Sequence, residues 1–279
     1  MIGQNSLYKM MSMQMNENTF PKFCILSGED GSGKHTLVSK FLNDDCAYYS
    51  HYIVQDVKVE SIRTMIRDAY KIQTPTIFVI YDADNMSINA KNALLKVTEE
   101  PPHKAKFIMT VSNLSNVLDT LKSRATVYYM ERYTPNELIE FATQKGLGQF
   151  KDVVSDICDT PGDIERLSKY DVAEFISYVD KVIDNIATVS LANAFKIPQQ
   201  LNFTDDSEKY DVDLFLRVFK MRCGMHMKKA ISKRNVDEQI RYAGAISIIN
   251  TCLTKMKIVG ISKQALFDML ILDLRREWE

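Results

Sequence analysis

The chain of 279 residues has no apolar run long enough to cross a membrane. Its first residues also lack the basic segment, apolar core and small-residue cleavage site of a secretory signal. These absences give no indication of export or of membrane insertion. We therefore expect a protein with no membrane partner, and the cytoplasm is its default location.

Cysteine is scarce, and no two cysteines form a C-x-x-C pair. The five residues are far apart in the sequence: Cys24, Cys46, Cys158, Cys223 and Cys252. This spacing argues against a zinc site and against a disulfide framework, and it fits a reducing compartment. The sequence therefore predicts no zinc cofactor.

Neither sign of charge is in excess. Lys and Arg number 35, Asp and Glu number 36, and the formal net charge is −1. Such a chain does not bind nucleic acid with its whole surface, although a local basic face or a basic neighbour can still bring it to DNA. A hydrophobic fraction of 46% and a charged fraction of 25% are ordinary for globular proteins, and the length accommodates two or three domains.

The most informative segment is FCILSGEDGSGKHTLVSKF, residues 23–41. An apolar strand leads into a glycine-rich turn and then a helix, which is the setting of a phosphate-binding loop. Glycines let backbone N–H groups face an anion, Lys34 can reach the β- and γ-phosphates, and the helix N-terminus favours negative charge. We predict that ATP or ADP binds here, and the predicted binding residues are Gly28, Gly31, Ser32, Gly33, Lys34, His35 and Thr36. A glycine-rich turn without a ligand is the alternative.

The residue after the lysine departs from the expected pattern. A Ser or Thr hydroxyl normally binds Mg²⁺ at this position, whereas this chain has His35, with Thr36 one residue later. The sequence leaves Mg²⁺ binding open and predicts that any such site is weakened.

A second candidate site residue follows the apolar run Ile77–Tyr81, which is typical of a strand buried on both faces. Asp82 ends this run, where a Walker B aspartate would hold the Mg²⁺ of a nucleotide; a simple turn former is the alternative. The next residue is Ala83, which cannot act as a base. Asp84 lies two residues beyond Asp82, where the backbone is expected to direct it elsewhere.

Strands alternate with helices in the first half of the chain, which predicts a parallel α/β sheet. The predicted strands are residues 23–26, 48–54, 77–81, 106–111 and 126–130. Thr134 to Glu137 reads as a capping box that begins a helical unit, and Gly146 is placed to end its first helix. After a polar linker at 190–210, three amphipathic stripes predict a helical bundle, within which the basic residues 228–234 are interpreted as a solvated helix end.

One segment carries a family resemblance. Residues 83–102, ADNMSINAKNALLKVTEEPP, resemble the box that follows Walker B in clamp-loader subunits of DNA replication, most of all those of the delta-prime type of bacterial DNA polymerase III. Ile2-Gly3-Gln4 resembles the amino-terminal box of that family, and DAYKIQTP, residues 68–75, precedes Walker B as it does there. The resemblance implies an AAA+ P-loop α/β domain at 1–132, a helical lid at 133–190 and a helical collar at 191–279. The periodicity alone would also fit a self-contained bundle at the carboxyl end.

The resemblance also implies roles for individual residues. Ser112 and Asn113 stand where the family has its sensor 1 residue, and Asn113 is the predicted nucleotide contact. Arg124, in Ser-Arg-Ala rather than Ser-Arg-Cys, is the predicted arginine finger that acts in trans on a neighbouring ATP site. The Gly-x-x-Arg pattern of sensor 2 is displaced, because three residues after Gly162 stands Glu165 and the arginine is Arg166.

Taken with these departures, the resemblance implies a clamp-loader subunit that hydrolyses ATP weakly or not at all. Its implied partners are other clamp-loader subunits, a sliding clamp and primed DNA within the assembly. One alternative is an active clamp-loader ATPase in which Thr36 or a water replaces the missing hydroxyl, and Asp84 or a residue of a neighbouring subunit serves as the base. Another is an AAA+ subunit of a different replication assembly, such as a helicase loader. The zinc module common in bacterial members is missing from the sequence, which leaves a cellular or viral origin open.

Overall fold

The computed structural model describes residues 2–197, 201–202, 209–256, 258 and 261–278. These residues form two compact units. The first consists of Met1–Glu137 with Thr160–Gly162, and the second of Leu138–Asp159 with Asp163–Glu279.

The first unit is built on a five-stranded parallel sheet. Its strands are β1 (Phe23–Ser27), β2 (Ser50–Ile53), β3 (Thr76–Ile80), β4 (Ala105–Val111) and β5 (Thr126–Tyr129). They lie in the order β2-β3-β4-β1-β5, and every pairing is parallel. All residues of β1 and β3 are buried, as their continuous apolar runs predict. The predicted parallel α/β sheet is thus confirmed.

Helices cover both faces of this sheet. They are α1 (Asn5–Asn16), α2 (Lys34–Asp45), α3 (Val59–Ala69), α4 (Ile88–Glu99) and α5 (Asp119–Lys122). Successive residues of β1 enter opposite cores, Ile25 with the α3 and α4 side and Leu26 with the α1 and α2 side. Met11 and Met15 of α1 are buried in the second of these cores. These two methionines therefore serve packing, whereas Met10 and Met13 of the same helix are exposed.

Capping residues mark the start of two helices, and the capping box at Thr134 was predicted from the sequence. The Ser87 hydroxyl accepts a hydrogen bond from the Ala90 N–H at 3.3 Å, and α4 follows it. The Thr134 hydroxyl accepts from the Glu137 N–H at 3.3 Å, while the Glu137 carboxylate accepts from the Thr134 N–H at 2.8 Å. This reciprocal capping box precedes α6 (Pro135–Gln144).

The described part of the second unit is helical apart from two short strands. After α6 come α7 (Lys151–Ile157), α8 (Pro161–Leu167), α9 (Val172–Asn185), α10 (Leu191–Ala194), α11 (Val212–Ser232), α12 (Val236–Met256) and α13 (Lys263–Trp278). The predicted linker at 190–210 contains α10 and the paired strands β6 (Leu201–Asn202) and β7 (Tyr210–Asp211). Residues 198–200 and 203–208 of that linker lie outside the described residues.

The three predicted carboxyl-terminal helices form a bundle in which α12 packs against both α11 and α13. α11 also packs against α7 and α9, so the segments assigned to the lid and the collar share one compact unit. The boundary placed at residue 190 stays a prediction.

None of the described helices combines the length and the apolar composition required to cross a bilayer. All five cysteines are buried free thiols. Burial raises the pKa of Cys46, Cys158 and Cys223 to about 12. These thiols are therefore protonated and unreactive at neutral pH.

Candidate nucleotide-binding site

The glycine-rich loop connects β1 to α2 at the carboxyl edge of the sheet. A Cβ atom at Gly28 would lie 2.5 Å from Cγ of Met130, so no larger residue fits there. Gly31 has a φ of +74°, in the left-handed region that glycine adopts without strain. The Gly162 N–H, in the same unit, donates to the Gly31 carbonyl at 3.0 Å. Gly28 is therefore required by its contact with the Met130 side chain, and Gly31 is favoured by its own backbone conformation.

Lys34 is folded into its own loop. Its Nζ donates to the carbonyl oxygens of Gly28 and Glu29, both at 2.9 Å, and to the Ser112 hydroxyl at 3.1 Å. The residue is 4% exposed, and this burial lowers the pKa of the ammonium group, although nearby carboxylates oppose the shift. The loop thus satisfies the lysine internally, and a phosphate would have to compete with these oxygens.

Tyr133 covers the loop from the side. Its hydroxyl donates to the Ser32 carbonyl at 2.9 Å, and its ring lies where a Cβ on Gly3 would stand, 2.6 Å from Cε1. The buried Gln4 side chain donates to the Glu131 carbonyl at 2.7 Å and accepts from its N–H at 2.8 Å. The amino-terminal box therefore holds the segment that carries Tyr133 against the loop.

Ser32 lies within the loop and is 4% exposed. Its hydroxyl oxygen has no hydrogen-bond partner among the described residues. A buried hydroxyl without a hydrogen-bond partner destabilises the fold by about 1–3 kcal/mol. A bound group that hydrogen-bonds to this oxygen would recover that free energy. Together with the backbone N–H groups, this oxygen makes the loop compatible with a phosphate.

A histidine and an aspartate contact each other at the position where a P-loop protein binds Mg²⁺. His35 Nε2 lies 3.2 Å from Asp82 Oδ1, and the imidazole packs on the Tyr81 ring with centroids 4.1 Å apart. The Asp82 backbone has a φ of 49°. Mg²⁺ prefers oxygen ligands in octahedral geometry, whereas this pair offers a single carboxylate engaged by a nitrogen. The residues at this position do not fit a P-loop Mg²⁺ site.

The two residues after Asp82 have structural roles in the first unit. Ala83 is fully buried in the core on the α3 and α4 side of the sheet. Asp84 Oδ2 accepts from the backbone N–H groups of Ser112 and Asn113, at 3.2 and 2.9 Å. The Asp84 carboxylate therefore holds the loop after β4, as expected from its displaced position.

The two polar residues of the sensor 1 segment make different contacts. Ser112 contacts Lys34 through its hydroxyl. Asn113 instead accepts from the Ser115 N–H at 3.0 Å and caps a turn of 3₁₀-helix at residues 114–116. The geometry thus places Ser112, and not the side chain of Asn113, in contact with the phosphate-binding loop.

Arg124 follows α5 and is held by neighbours. Its Nη2 lies 3.1 Å from Glu99 Oε1, its Nη1 donates to the Thr120 carbonyl at 2.7 Å, and its side chain is 31% exposed. Glu99 belongs to the EEPP sequence that ends α4. The structure thereby joins two motifs that lie 25 residues apart.

In the second unit, Arg166 is engaged by carboxylates. Its guanidinium contacts Asp163 at 2.6 Å and Asp211 at 3.0 Å. Burial lowers the pKa of Arg166, but the surrounding carboxylates raise it by more, so the net shift is upward. Glu165 pairs with Lys145 at 3.1 Å. Glu165 and Arg166, the two residues at the sensor 2 position, thus both form ion pairs within the chain.

Hydrogen bonds within the first unit therefore bring Gly28, Ser112 and Lys34 together, while His35 pairs with Asp82. Thr36 lies on the exposed surface of α2. The roles of Gln4 and Tyr133 were not visible in the sequence pattern, because their contacts join residues about a hundred positions apart or more.

The chain is similar in sequence to subunits of DNA-replication complexes. Residues 44–134, about a third of the chain, match the family model described as DNA polymerase III, delta subunit. The DNA polymerase III subunit gamma of Buchnera aphidicola (strain Sg) is 27% identical over 168 residues, which are 50% of this chain and 46% of that protein. The Replication factor C small subunit of Aeropyrum pernix is 21% identical over 65% of this chain and 60% of its own length.

Another relative extends over more of the chain. The DNA polymerase III subunit gamma/tau of Mycoplasma genitalium is 21% identical over 84% of this chain and 48% of its own length. The chain thus spans about half the length of the first bacterial relatives. A solved structure of a DNA polymerase III gamma subunit-related protein from Thermotoga maritima superposes with a TM-score of 0.51 and 13% identity, covering 98% of this chain and 99% of that one.

This structural likeness supports the fold, and the sequence matches are to subunits of replication complexes. They do not single out the delta-prime type. The chain has the AAA+ fold and is similar in sequence to the clamp-loader AAA+ subunits of DNA replication, as its motifs predicted.

Proposed function

We propose that this chain is a cytoplasmic clamp-loader subunit of the delta-prime type. In this proposal it takes part in an assembly with other clamp-loader subunits, a sliding clamp and primed DNA. It hydrolyses ATP weakly or not at all, and it supplies Arg124 to the ATP site of a neighbouring subunit.

The observation that carries the proposal is the contact between His35 and Asp82. P-loop hydrolysis requires a metal held by the hydroxyl after the lysine and by the Walker B aspartate. Here an imidazole stands in the first position and lies 3.2 Å from the carboxylate in the second. Such a pair disfavours the metal that neutralises the charge of the transferring phosphate.

The lack of a general base also supports weak or absent ATP hydrolysis. Ala83 is buried, and Asp84 is held by two backbone N–H groups, so neither is suited to accept a proton from water. Loss of a general base alone costs a factor of about 10²–10⁴ in rate. Nucleotide binding does not need these groups, because a bound nucleotide supplies the phosphates and the loop N–H groups, Lys34 and Ser32 would hold them.

The contacts of Arg124 suit a finger that acts in trans. The guanidinium is held at the surface by Glu99 and by a carbonyl, and it remains partly exposed. An exposed ion pair of this kind is worth only about 0–1 kcal/mol, so a phosphate of a neighbouring subunit can displace Glu99. Arginine presents a planar fork that binds phosphate oxygens in pairs.

The test is reconstitution with the clamp-loader ATPase subunits, clamp and primed DNA of the same organism. We expect Arg124→Ala to assemble normally and to lower the DNA-stimulated ATPase rate at the neighbouring site by about 10³-fold, the range known for arginine fingers. The control is Arg63→Ala, which removes another exposed arginine that pairs with a glutamate. Failure to assemble with these subunits would refute the clamp-loader assignment, and an unchanged rate in the assembled Arg124→Ala complex would refute the finger.

A further inference from the structure

A groove runs along α11 in the second unit, and we call it the α11 groove. It lies between α7, α11 and α12, and its volume is about 450 Å³. Met221, Gly224 and Met225 line it from α11, and Ile246 and Leu253 line it from α12. The volume is within the range of about 300–1,000 Å³ that is usual for binding pockets.

Gly224 is an unexpected residue for this position. It lies in the interior of α11, where glycine costs about 1 kcal/mol relative to alanine. A Cβ atom at Gly224 would have no atom within 4 Å, so the packing of this chain does not require glycine. A bare backbone at this point lets another chain approach closely.

The methionines beside it have the properties of a binding surface. Met225 is 50% exposed, although it is a large apolar side chain, and Met221 lies one turn before it on the same helix. Methionine is flexible and polarisable, and grooves that receive amphipathic helices use it often.

The charge of α11 indicates the chemistry of the occupant. The helix carries five Lys and Arg residues and one acidic residue, Asp213. Arg217 and Arg222 pair with aspartates. Lys220 and Lys228 are exposed and form no ion pair within the part of the chain that the structure describes. They stand four residues before and after Gly224, on the same side of the helix.

We infer that the α11 groove binds an amphipathic helix of another protein chain. Its apolar face packs on Gly224 and Met225, and its carboxylates face Lys220 and Lys228. Three aspartates also line the groove: Asp156 from α7, and Asp159 and Asp213, which both pair with Arg217. They disfavour acidic groups on their side, so the carboxylates of the bound helix face Lys220 and Lys228, which fixes its orientation. The three aspartates that line the groove do not suit a nucleic-acid backbone, whose charge is uniformly negative. This inference is independent of the phosphate-binding loop and of the function proposed for it.

The probe is a synthetic amphipathic peptide of about 18 residues, long enough to form a helix in water when stabilised by side-chain pairs. Leucines form one face, and glutamates line one edge of it. A second peptide has lysines in place of those glutamates. Binding of each labelled peptide to the full chain is measured by fluorescence anisotropy.

Two variants test the groove directly. Gly224→Leu places a side chain where the structure has free space, so we expect a folded protein and a loss of affinity for the glutamate peptide on the order of tenfold. Lys220→Glu/Lys228→Glu is expected to lose a similar factor for the glutamate peptide and to gain affinity for the lysine peptide. The control Lys181→Glu/Lys263→Glu makes the same change of charge at exposed residues that do not line the groove.

The inference is overturned if the glutamate peptide does not bind, or if Gly224→Leu and the charge reversal leave its affinity unchanged. Displacement of the peptide by duplex DNA at equal concentration would assign the groove to nucleic acid instead. Sedimentation velocity measures whether the chain associates with itself. Self-association that Gly224→Leu abolishes would assign the groove to a second copy of this chain instead. A circular dichroism melt of each variant establishes that it is folded.

Discussion

The Nε2 atom of His35 lies 3.2 Å from Oδ1 of Asp82, and this contact joins the residue after the P-loop lysine to the turn that follows β3. Both side chains are about half exposed. The pair therefore stands open to solvent at the position where a P-loop enzyme holds its metal.

Replacing His35 with threonine is expected to restore a metal ligand. We predict that His35→Thr makes nucleotide affinity depend on Mg²⁺, with about tenfold tighter binding in Mg²⁺ than in EDTA, since a hydroxyl then stands beside a free Asp82 carboxylate. Isothermal titration of ATP measures this difference. In the unmodified chain we expect little dependence on Mg²⁺. If the unmodified chain does show Mg²⁺-dependent binding, and Thr36→Ala removes it, Thr36 is the metal ligand and this account is wrong.

Placing a glutamate directly after Asp82, as a general base, is expected to fail. Ala83 is fully buried, so Ala83→Glu would place a carboxylate in an apolar core and lower the melting temperature. We expect no gain in ATP turnover from this substitution. The matched control is Asn85→Glu, an exposed residue in the same turn, which we expect to leave the melting temperature unchanged. A stable Ala83→Glu variant that hydrolyses ATP would contradict the packing role of Ala83.

Asp84 is expected to matter for stability. Asp84→Ala leaves the Ser112 and Asn113 N–H groups without their acceptor, and we predict a loss of about 1–3 kcal/mol in the free energy of unfolding in urea. Asp84→Asn keeps an acceptor oxygen and should lose less. The exposed Asp184 provides a control, since its replacement by alanine should have little effect. An active ATPase whose turnover, but not stability, depends on Asp84 would show that this carboxylate is a base.

Nucleotide affinity is expected to fall with rising pH. Burial lowers the pKa of Lys34 below 10.5, and a bound phosphate would raise the pKa by stabilising the ammonium form. Binding therefore takes up a proton, and affinity decreases as the pH rises through the lowered pKa. Titrations between neutral and alkaline pH in buffers of different ionisation enthalpy detect this proton. Lys34→Arg, which stays protonated, should remove the pH dependence, and its persistence in that variant would assign the effect to another group.

Two glycines with equal space around them should respond in opposite ways to alanine. No atom lies within 4 Å of a Cβ built at Gly224 or at Gly146, but Gly146 has a φ of +81° while Gly224 is helical. We predict that Gly224→Ala stabilises the fold by about 0.5–1 kcal/mol, and that Gly146→Ala destabilises it by about 1–2 kcal/mol. Urea unfolding of both variants measures these changes. Destabilisation by Gly224→Ala would mean that α11 packs more closely there than the structure has it.

The sequence predicted the parts of the fold that depend on local pattern. The strand at Phe23, for example, is a continuous apolar run followed by glycines, and both features act within a few residues. Thr134 marks a helix start because its hydroxyl caps an N–H group three residues away. The complete burial of β1 and β3 agrees with these local signals.

The details of the site depend on distant contacts that no local pattern contains. Gln4 holds Glu131 across 127 positions, and Tyr133 reaches Ser32 across 101. Ser112 and Asn113 were equivalent candidates in the sequence, and the structure separates them because Asn113 caps its own turn. The joint packing of α7 and α9 with α11 likewise arises from tertiary contacts between segments that each have ordinary helical periodicity.

The most direct test of the central claim is ATP turnover by the purified chain in Mg²⁺ with primed DNA, measured beside Lys34→Ala and beside nucleotide binding in the same solutions. We predict that any nucleotide bound is lost in Lys34→Ala, and that phosphate release by the two proteins is the same and near background. Turnover well above that of Lys34→Ala would contradict the account, because His35 paired with Asp82 would then be part of a working metal site.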